Sequence, residues 1–243
     1  MSSSGHLVIV KHFLGLDTGS GILLEVALHA GTLVSILVYY RLRIWGLCRG
    51  VLRGEGGAWR YGLCVFLGSL PAGFAYWVSG GWLESQFSRP LFACGMLCVT
   101  GLALLSLRWV PLGAAVVSPG KAVLVGVAQA LAMLPGVSRS GATITAGRWF
   151  GFSPAEAAEF SFLLSIPALS GAILWEAVKL LGGGGLGGVG IFPLISGFLV
   201  SAAVGFCALS VLIRLLATRH FWLFGWYCLG AGAVAGALLA AGV

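Results

Sequence analysis

The sequence predicts an all-α polytopic membrane protein, and two features of its composition carry that prediction. Hydrophobic residues make up 59% of the 243 positions and charged residues only 9%, against about 25% in ordinary soluble domains. So few charges cannot cover a soluble globule of this size, which excludes a soluble enzyme and a disordered chain. The 39 glycines fit the same class, because small residues let membrane helices approach one another closely.

Six stretches are apolar enough to cross a bilayer, which takes about 20 residues. They are residues 22–40, 61–79, 91–107, 155–181, 189–213 and 221–243. Residues 121–152 are different, because Pro135 and Gly136 interrupt them and Arg139 follows. Such a break is tolerated at membrane depth only inside protein or beside water. We therefore predict six transmembrane helices and a re-entrant helix pair over residues 121–152.

The distribution of cations predicts the orientation of these spans. Residues 41–60 contain five arginines in a connection that we expect to be a loop, and such loops are cytoplasmic. Residues 80–90 contain only Arg89, and residues 182–190 contain no cation. The cation-rich connections all fall on the cytoplasmic side only if residues 121–152 enter and leave the membrane on the same face, which independently supports the re-entrant pair. The net charge of +7 therefore indicates topology and not nucleic-acid binding.

Two parts of the chain match at an offset of 136 residues. Residues 2–6 (SSSGH) match residues 138–142 (SRSGA), and three predicted spans follow each of them. An odd number of spans inverts the second copy relative to the first. We predict one membrane domain with a first repeat over residues 1–107, truncated at its re-entrant start, and an inverted second repeat over 121–243. Such repeats bring two broken elements together near the midplane and form a binding site there.

The second break carries groups that suit a phosphate. Arg139 lies between Ser138 and Ser140, and Gly136 and Gly141 allow the backbone to approach a ligand closely. A planar guanidinium matches phosphate oxygens, and helix starts leave N–H donors free for an anion. The alternative is an arginine at the membrane interface. Its place inside a broken apolar element favours a phosphate clamp.

The first break carries the best candidate for proton transfer or nucleophilic attack. His6 stands three residues after Ser3, and only the repeat distinguishes it from an ordinary histidine near a chain terminus. A second candidate pair is Glu25 and His29, which are four residues apart on one face of a predicted span. They can meet inside the bundle either as a structural pair or as catalytic partners.

Four motifs together are similar to one known family. Residues 2–7 (SSSGHL), 24–33 (LEVALHAGTL), 135–144 (PGVSRSGATI) and 158–167 (AEFSFLLSIP) resemble undecaprenyl pyrophosphate phosphatase, the bacterial bacitracin-resistance phosphatase. The resemblance implies hydrolysis of undecaprenyl pyrophosphate to undecaprenyl phosphate and inorganic phosphate, which recycles the lipid carrier of peptidoglycan precursors. It implies the bacterial cytoplasmic (inner) membrane, a site toward the periplasm and a polyprenyl pyrophosphate lipid as substrate. It also allows a homodimer.

The resemblance implies the site residues as well. Carried over by motif, the catalytic residues are His6, Ser3 and Arg139, with either histidine or serine as the nucleophile. The substrate-binding residues are Ser138, Ser140, Gly141, Thr143 and Gly136. The family works with a divalent cation, magnesium or calcium, and has a Glu-x-x-x-Glu-Phe-Leu-Pro segment before Ser-Ser-x-Gly-His. We therefore expect the metal ligands in about twenty residues that would precede Met1.

Two other functions remain open at this point. Inverted repeats with broken helices are also a transporter architecture, so the chain could carry a lipid or an anion. An inactive remnant of the phosphatase, lacking its glutamates, is the other alternative. Phosphate release from the polyprenyl diphosphate, compared with uptake into sealed vesicles, separates the enzyme from a transporter.

Overall fold

A computed structural model describes residues 2–14, 22–181, 190–218 and 220–241, which contain helices and no strand. The side chain of Glu25 lies outside the described part, and so does the predicted Glu25–His29 pair. Residues 182–189, most of the connection without cations, also lie outside it. The helices are α1 (Ser3–Phe13), α2 (Ile22–Tyr39), α3 (Arg41–Leu52), α4 (Gly56–Gln86), α5 (Pro90–Ser106), α6 (Pro119–Leu131), α7 (Arg139–Trp149), α8 (Pro154–Leu181), α9 (Ile191–Ala217) and α10 (Phe224–Ala240), with a 3₁₀ turn at Phe221–Leu223.

All six predicted spans form helices. Four apolar helical stretches are long enough to cross a bilayer, namely Gly56–Gln86, Pro154–Val178, Ile191–Leu216 and Phe221–Ala240. The other two predicted spans, α2 and α5, contribute the shorter apolar stretches Val26–Tyr39 and Pro90–Ser106. Many of the large apolar side chains are exposed, as expected where lipid replaces water around a helix bundle. The prediction of an all-α polytopic membrane protein is confirmed.

The helix α4 continues beyond the span that the sequence predicts. The predicted span ends at Ser79, where the backbone leaves helical geometry (φ −129°, ψ 16°), and the helix then resumes to Gln86. The predicted boundary at Ser79 coincides with this kink, which the sequence did not predict, and residues 80–86, expected to connect two spans, are helical. Pro71 lies inside the same helix, and a proline there removes one backbone hydrogen bond.

The prediction of a loop over residues 41–60 is wrong for residues 56–60, which begin α4, and for residues 41–52, which form the helix α3. Its Ile44 and Leu47 pack against a buried cluster that includes Ile36 and Leu163. Apolar residues three apart on a helix lie on one face, and this packing stabilises a segment that its many charges had marked as a loop. The chain then turns at Gly54, whose φ is +72°.

An ion pair joins α3 to α8 on this arginine-rich side. The Nε of Arg43 donates to Oε1 of Glu159 at 2.7 Å, and the hydroxyl of Tyr61 donates to the same oxygen at 3.4 Å. Burial acts to lower the pKa of Arg43, but the hydrogen bond and charge of Glu159 outweigh it and raise that pKa above its ordinary value. Glu159 therefore fixes α3 against the bundle.

The helices α6 and α7 are too short to span the membrane. They have 13 and 11 residues, which at about 1.5 Å per residue is well short of the roughly 30 Å hydrocarbon core. The chain reverses between them through residues 132–138, and α7 packs against α5, α6 and α8. This is the re-entrant pair that the sequence predicts.

Small residues set the closest helix crossings. A Cβ built on Gly101 of α5 would lie 2.8 Å from the carbonyl oxygen of Gly225 in α10, and one on Gly225 would lie 2.6 Å from that of Gly101. Between α2 and α9, the hydroxyl of Ser201 donates to the carbonyl of Leu28 at 2.7 Å. Close backbone approach of this kind is typical of membrane helices, where dispersion contacts replace the hydrophobic effect.

Candidate active site

The helix α7 begins with a capped turn at the second break. The Oγ of Ser138 accepts the N–H of Gly141 at 3.1 Å, and its carbonyl accepts the N–H of Ala142 at 2.7 Å. Within the described residues, the N–H groups of Arg139 and Ser140 have no hydrogen-bond partner. They belong to the first turn, whose donors have no intrahelical acceptor, and they are available to an anion.

The helix α1 begins in the same way at the first break. The Oγ of Ser2 accepts the N–H of Gly5 at 3.2 Å, and its carbonyl accepts the N–H of His6 at 3.2 Å. The N–H groups of Ser3 and Ser4 are likewise unbonded within the part of the chain that the structure describes. Each of these positions lies 136 residues before its counterpart in α7, so the sequence match extends to backbone geometry.

The two breaks lie against each other. A Cβ built on Gly5, in the first turn of α1, would stand only 2.7 Å from the Cα of Gly136. Any larger residue at position 5 would push the first turn of α1 away from Gly136. The tertiary structure thus places Gly5 of the first break against Gly136 of the second, although they lie on opposite halves of the chain.

Gly136 occupies a position that only glycine fits. Its φ is +99°, and a Cβ there would collide with the carbonyl oxygen of Ala93 and lie 2.8 Å from the Cβ of Met96. One side chain of α5, Thr100, holds the break in place: its hydroxyl lies 3.1 Å from the carbonyl oxygen of Gly136 and accepts the N–H of Ser138 at 3.1 Å. Sequence analysis missed Thr100, because a threonine inside an apolar span carries no distinctive signal.

The two arginines of α7 have different environments. Arg148 is 7% exposed and donates to the carbonyl oxygens of Phe152 at 2.5 Å and Pro111 at 2.9 Å. Arg139 is partly buried, and its guanidinium has no hydrogen bond or ion pair to any described residue. Arg148 therefore fixes the end of α7 to the preceding connection, whereas Arg139 retains five N–H donors for a ligand.

The imidazole of His6 is held at both nitrogens. Nδ1 lies 2.6 Å from the carbonyl oxygen of Ser2, and a carbonyl can only accept, so Nδ1 carries the proton in the neutral ring. Nε2 then has the lone pair, and it accepts the hydroxyl of Tyr227 at 2.8 Å. The two rings are parallel within 6°, with centroids 5.7 Å apart. Tyr227, on α10, is the second residue that sequence analysis missed.

The other predicted site residues have less direct positions. Ser3 is exposed and Ser140 is half-buried at the two helix starts. Thr143 is 1% exposed; its hydroxyl donates to the carbonyl of Arg139 at 2.8 Å and lies 2.5 Å from the Oγ of Ser161. Thr143 would have to give up one of these bonds to contact a ligand, so its present role is to fix the first turn of α7.

The described residues do not fit a divalent cation. Among them, no group of three or more His, Cys, Asp or Glu side chains is close enough to hold a metal ion. Of the predicted site residues only His6 is a usual ligand type, and one of its nitrogens is bonded to Ser2. Phosphate binding and proton transfer are therefore assigned only to side chains and backbone groups of the described residues.

The second break packs against the N-terminal half and the middle of α5. Gly136 packs against Ala93 and Met96, in the first two turns of α5, which begins after the cation-poor connection. The start of α6 lies near Arg60, which donates to the carbonyl of Val117 at 3.3 Å. The re-entrant helix α6 therefore runs from the arginine-rich side toward the site.

Comparison with known proteins finds matches over nearly the whole chain. The sequence model of the family described as Bacitracin resistance protein BacA matches residues 1–234. A protein of Trichlorobacter lovleyi named undecaprenyl-diphosphatase is 39% identical over all of this chain and 92% of its own length. Proteins of the same name are 41% identical in Rhodopirellula baltica and 38% in Desulfosudis oleivorans. Each of these two matches covers 96% of this chain, and 88% and 90% of the relative, respectively.

Proposed function

The chain belongs to the family described as Bacitracin resistance protein BacA, and from that premise we propose that it is an undecaprenyl-diphosphatase. It hydrolyses undecaprenyl pyrophosphate to undecaprenyl phosphate and inorganic phosphate in a bacterial cytoplasmic membrane, and so recycles the lipid carrier and confers bacitracin resistance. One observation supports the placement of this reaction at the two breaks. Two capped helix starts meet at Gly136 and carry unbonded N–H groups, a guanidinium and an imidazole.

The second break binds the pyrophosphate in this proposal. Arg139 and the N–H groups of Arg139 and Ser140 donate to phosphate oxygens, and the dipole of α7 favours the negative charge. These donors are in place before the substrate arrives, so they offset charge in the transition state without reorganising. Gly136 and Gly141 leave room for the phosphate close to the backbone.

The first break supplies the group that starts the reaction. Because Nδ1 of His6 is committed to Ser2, the lone pair of Nε2 does the chemistry. It attacks the terminal phosphorus or takes the proton of Ser3 as that hydroxyl attacks. The bond between this phosphorus and the bridging oxygen breaks, and undecaprenyl phosphate leaves. Water then releases the phosphoryl group as inorganic phosphate.

The nucleophile is identified by trapping the phosphorylated enzyme. Phosphohistidine is labile in acid and phosphoserine is stable, so quenching a single turnover at low and high pH distinguishes them. Ser3→Ala removes the intermediate in the serine route and leaves it in the histidine route, whereas His6→Gln removes it in both.

The periplasmic opening is also part of the proposal. The support is that the second break packs against the N-terminal half and the middle of α5, which begins after the cation-poor connection, and arginines mark the cytoplasmic side. A membrane-impermeant thiol reagent applied to intact cells tests it with Ser3→Cys. Labelling from outside is expected, and labelling only after lysis would contradict it.

Release of phosphate from undecaprenyl pyrophosphate by the purified chain is the main test. Release that is lost in Arg139→Ala supports the phosphatase, whereas uptake of the lipid into sealed vesicles without release would support the transporter. Absence of both would support an inactive remnant. Repeating the assay with magnesium, calcium or a chelator tests the cation, and light scattering of the purified protein tests the homodimer.

A further inference from the structure

We propose that Tyr227 is a positioning residue for His6, which holds the imidazole in one orientation through a hydrogen bond to Nε2. The inference rests on the proposed function, because it assigns a role within the same reaction. Tyr227 lies 221 residues along the chain from His6 and belongs to the other repeat. Nothing in the motifs of the sequence pairs these two residues.

The first part of the argument is the fixed tautomer of His6. Its Nδ1–H donates to the carbonyl of Ser2 at 2.6 Å. Ser2 is itself 3% exposed and caps α1 through Gly5, so the acceptor belongs to an ordered turn. This bond determines which nitrogen is basic, but a single bond leaves the ring free to swing about it.

The second part is that Tyr227 removes the remaining freedom of the ring. Its hydroxyl donates to Nε2 at 2.8 Å, and the parallel rings restrict tilting. With both nitrogens bonded, the imidazole has one orientation before substrate binds. Histidine in an active site is commonly oriented by a group on the nitrogen that does not react; here the carbonyl of Ser2 has that role at Nδ1, and Tyr227 adds a second contact at Nε2.

The third part is the rigidity of the backbone that carries Tyr227. Gly225, two residues earlier in α10, is in close contact with Gly101 of α5. Gly101 directly follows Thr100, whose hydroxyl holds Gly136 and Ser138. The same crossing of α5 and α10 therefore places Tyr227 beside the first break and Thr100 beside the second. The same pair of helices therefore supports both the residue that orients His6 and the residue that holds the second break.

The hydroxyl of Tyr227 acts in the resting state and does not transfer a proton in this account. When the substrate binds, the reacting proton or phosphorus replaces the hydroxyl at Nε2, and the ring is already aligned. Loss of this hydroxyl leaves substrate binding intact, because Arg139 and the helix starts bind the pyrophosphate, but it lowers the fraction of aligned complexes.

The variant Tyr227→Phe keeps the ring and removes only the hydroxyl. We expect kcat to fall by about 10- to 100-fold, since small misplacements of reacting groups have effects of this size, with KM within about twofold. The matched control is Tyr76→Phe on α4, which also removes a tyrosine hydroxyl, there bonded to Glu84, and should leave both constants unchanged. Wild-type kcat in Tyr227→Phe, or a rise in KM alone, would overturn the proposal.

Nitrogen NMR of ¹⁵N-histidine-labelled protein tests the same contact without an activity assay. The chain has four histidines, and His6→Gln identifies the pair of resonances that belongs to His6. We expect a protonated Nδ1 and an unprotonated Nε2, and a shift of the Nε2 resonance in Tyr227→Phe. A wild-type spectrum with the proton on Nε2 would overturn the inference even if Tyr227→Phe fails to fold.

These two measurements separate failure of the inference from failure of the proposed function. If the wild-type chain releases no phosphate, the phosphatase proposal fails, and the nitrogen spectra still decide whether Tyr227 orients His6. If the wild type is active and His6→Gln is inactive but Tyr227→Phe has full activity, only the inference about Tyr227 fails.

Discussion

The two helix starts at the breaks share one backbone arrangement but carry different side chains. In each, a serine caps the helix by accepting the N–H of the glycine three residues later. The N–H groups of the two residues between that serine and that glycine are unbonded within the described residues. The second position is Ser3 in α1 and Arg139 in α7, and the fifth is His6 in α1 and Ala142 in α7. One half therefore provides the cation and the other provides the base.

The two starts also differ in how deeply they are embedded. Seven of the eight residues from Gly141 to Arg148 are buried in α7, whereas α1 buries only Gly5, Val8 and Ile9. Arg139, the proposed phosphate clamp, thus stands on a helix surrounded by protein, and His6, the proposed base, stands on one that is more exposed. In the proposed site, this difference separates an embedded binding half from a more accessible reactive half.

The largest expected effect is on the clamp. Arg139→Ala should lower kcat/KM by about 10³-fold or more, because an arginine that stabilises phosphoryl-transfer charge contributes this much, while the melting temperature in detergent changes little. The control is Arg108→Ala at the arginine-rich end, where the guanidinium lies 5.3 Å from the ring centre of Trp222. Full activity in Arg139→Ala would remove the division of roles between the two halves.

The base on the other half is expected to come next. His6→Gln should lower kcat by about 10²- to 10³-fold, the range for loss of a general base, with substrate affinity retained because Arg139 is intact. His12→Gln provides a matched control, since His12 is an exposed histidine on the same helix. Equal activity of the two variants would show that α1 contributes only structure.

The junction between the halves should tolerate no side chain at Gly136. Gly136→Ala combines a positive φ with a collision against Ala93, so we expect a loss of stability of about 1–3 kcal/mol and displacement of both helix starts. Gly54→Ala also has a positive φ, +72°, but no atom within 4 Å of its Cβ. Thermal melting and phosphate release should fall together in the first variant, and release should persist in the second.

Loss of the Thr100 hydroxyl on α5 is expected to have a smaller effect. Thr100→Val keeps the shape of the side chain and removes the hydroxyl that bonds to Gly136 and Ser138, at a cost of about 1–3 kcal/mol for the unsatisfied groups. Thr218→Val removes an exposed hydroxyl that bonds only to Leu215 and should cost less than half as much. Equal shifts in melting temperature for Thr100→Val and Thr218→Val would argue against a role of the Thr100 hydroxyl in holding the second break.

The caps should show the smallest effects and the clearest comparison of the two halves. Ser2→Ala and Ser138→Ala each remove one cap bond and should cost about 1 kcal/mol. Because α7 is more deeply embedded, the loss of stability should be larger for Ser138→Ala. A larger loss for Ser2→Ala would reverse the assignment of the embedded half.

Much of the fold could be predicted from local patterns. The apolar stretches predicted six helices, because lipid-facing composition is a local property, whereas the kink at Ser79 and the helical residues after it were not predicted. The failure over residues 41–60 has the opposite cause. Whether Ile44 and Leu47 support a helix depends on the buried cluster they pack against, and three of its five buried residues, Leu163, Leu169 and Leu209, lie more than a hundred positions away.

The sequence by itself determined the class of protein, the two breaks and the candidates Arg139 and His6, because charge scarcity, Pro-Gly interruptions and a repeat are visible in the order of residues. Only the tertiary structure decided what holds those candidates. Thr100 and Tyr227 are ordinary residues in apolar helices until the crossing of α5 and α10 places their hydroxyls against the two breaks. A hydrogen bond depends on distances of about 3 Å, and distances between remote residues are set by packing.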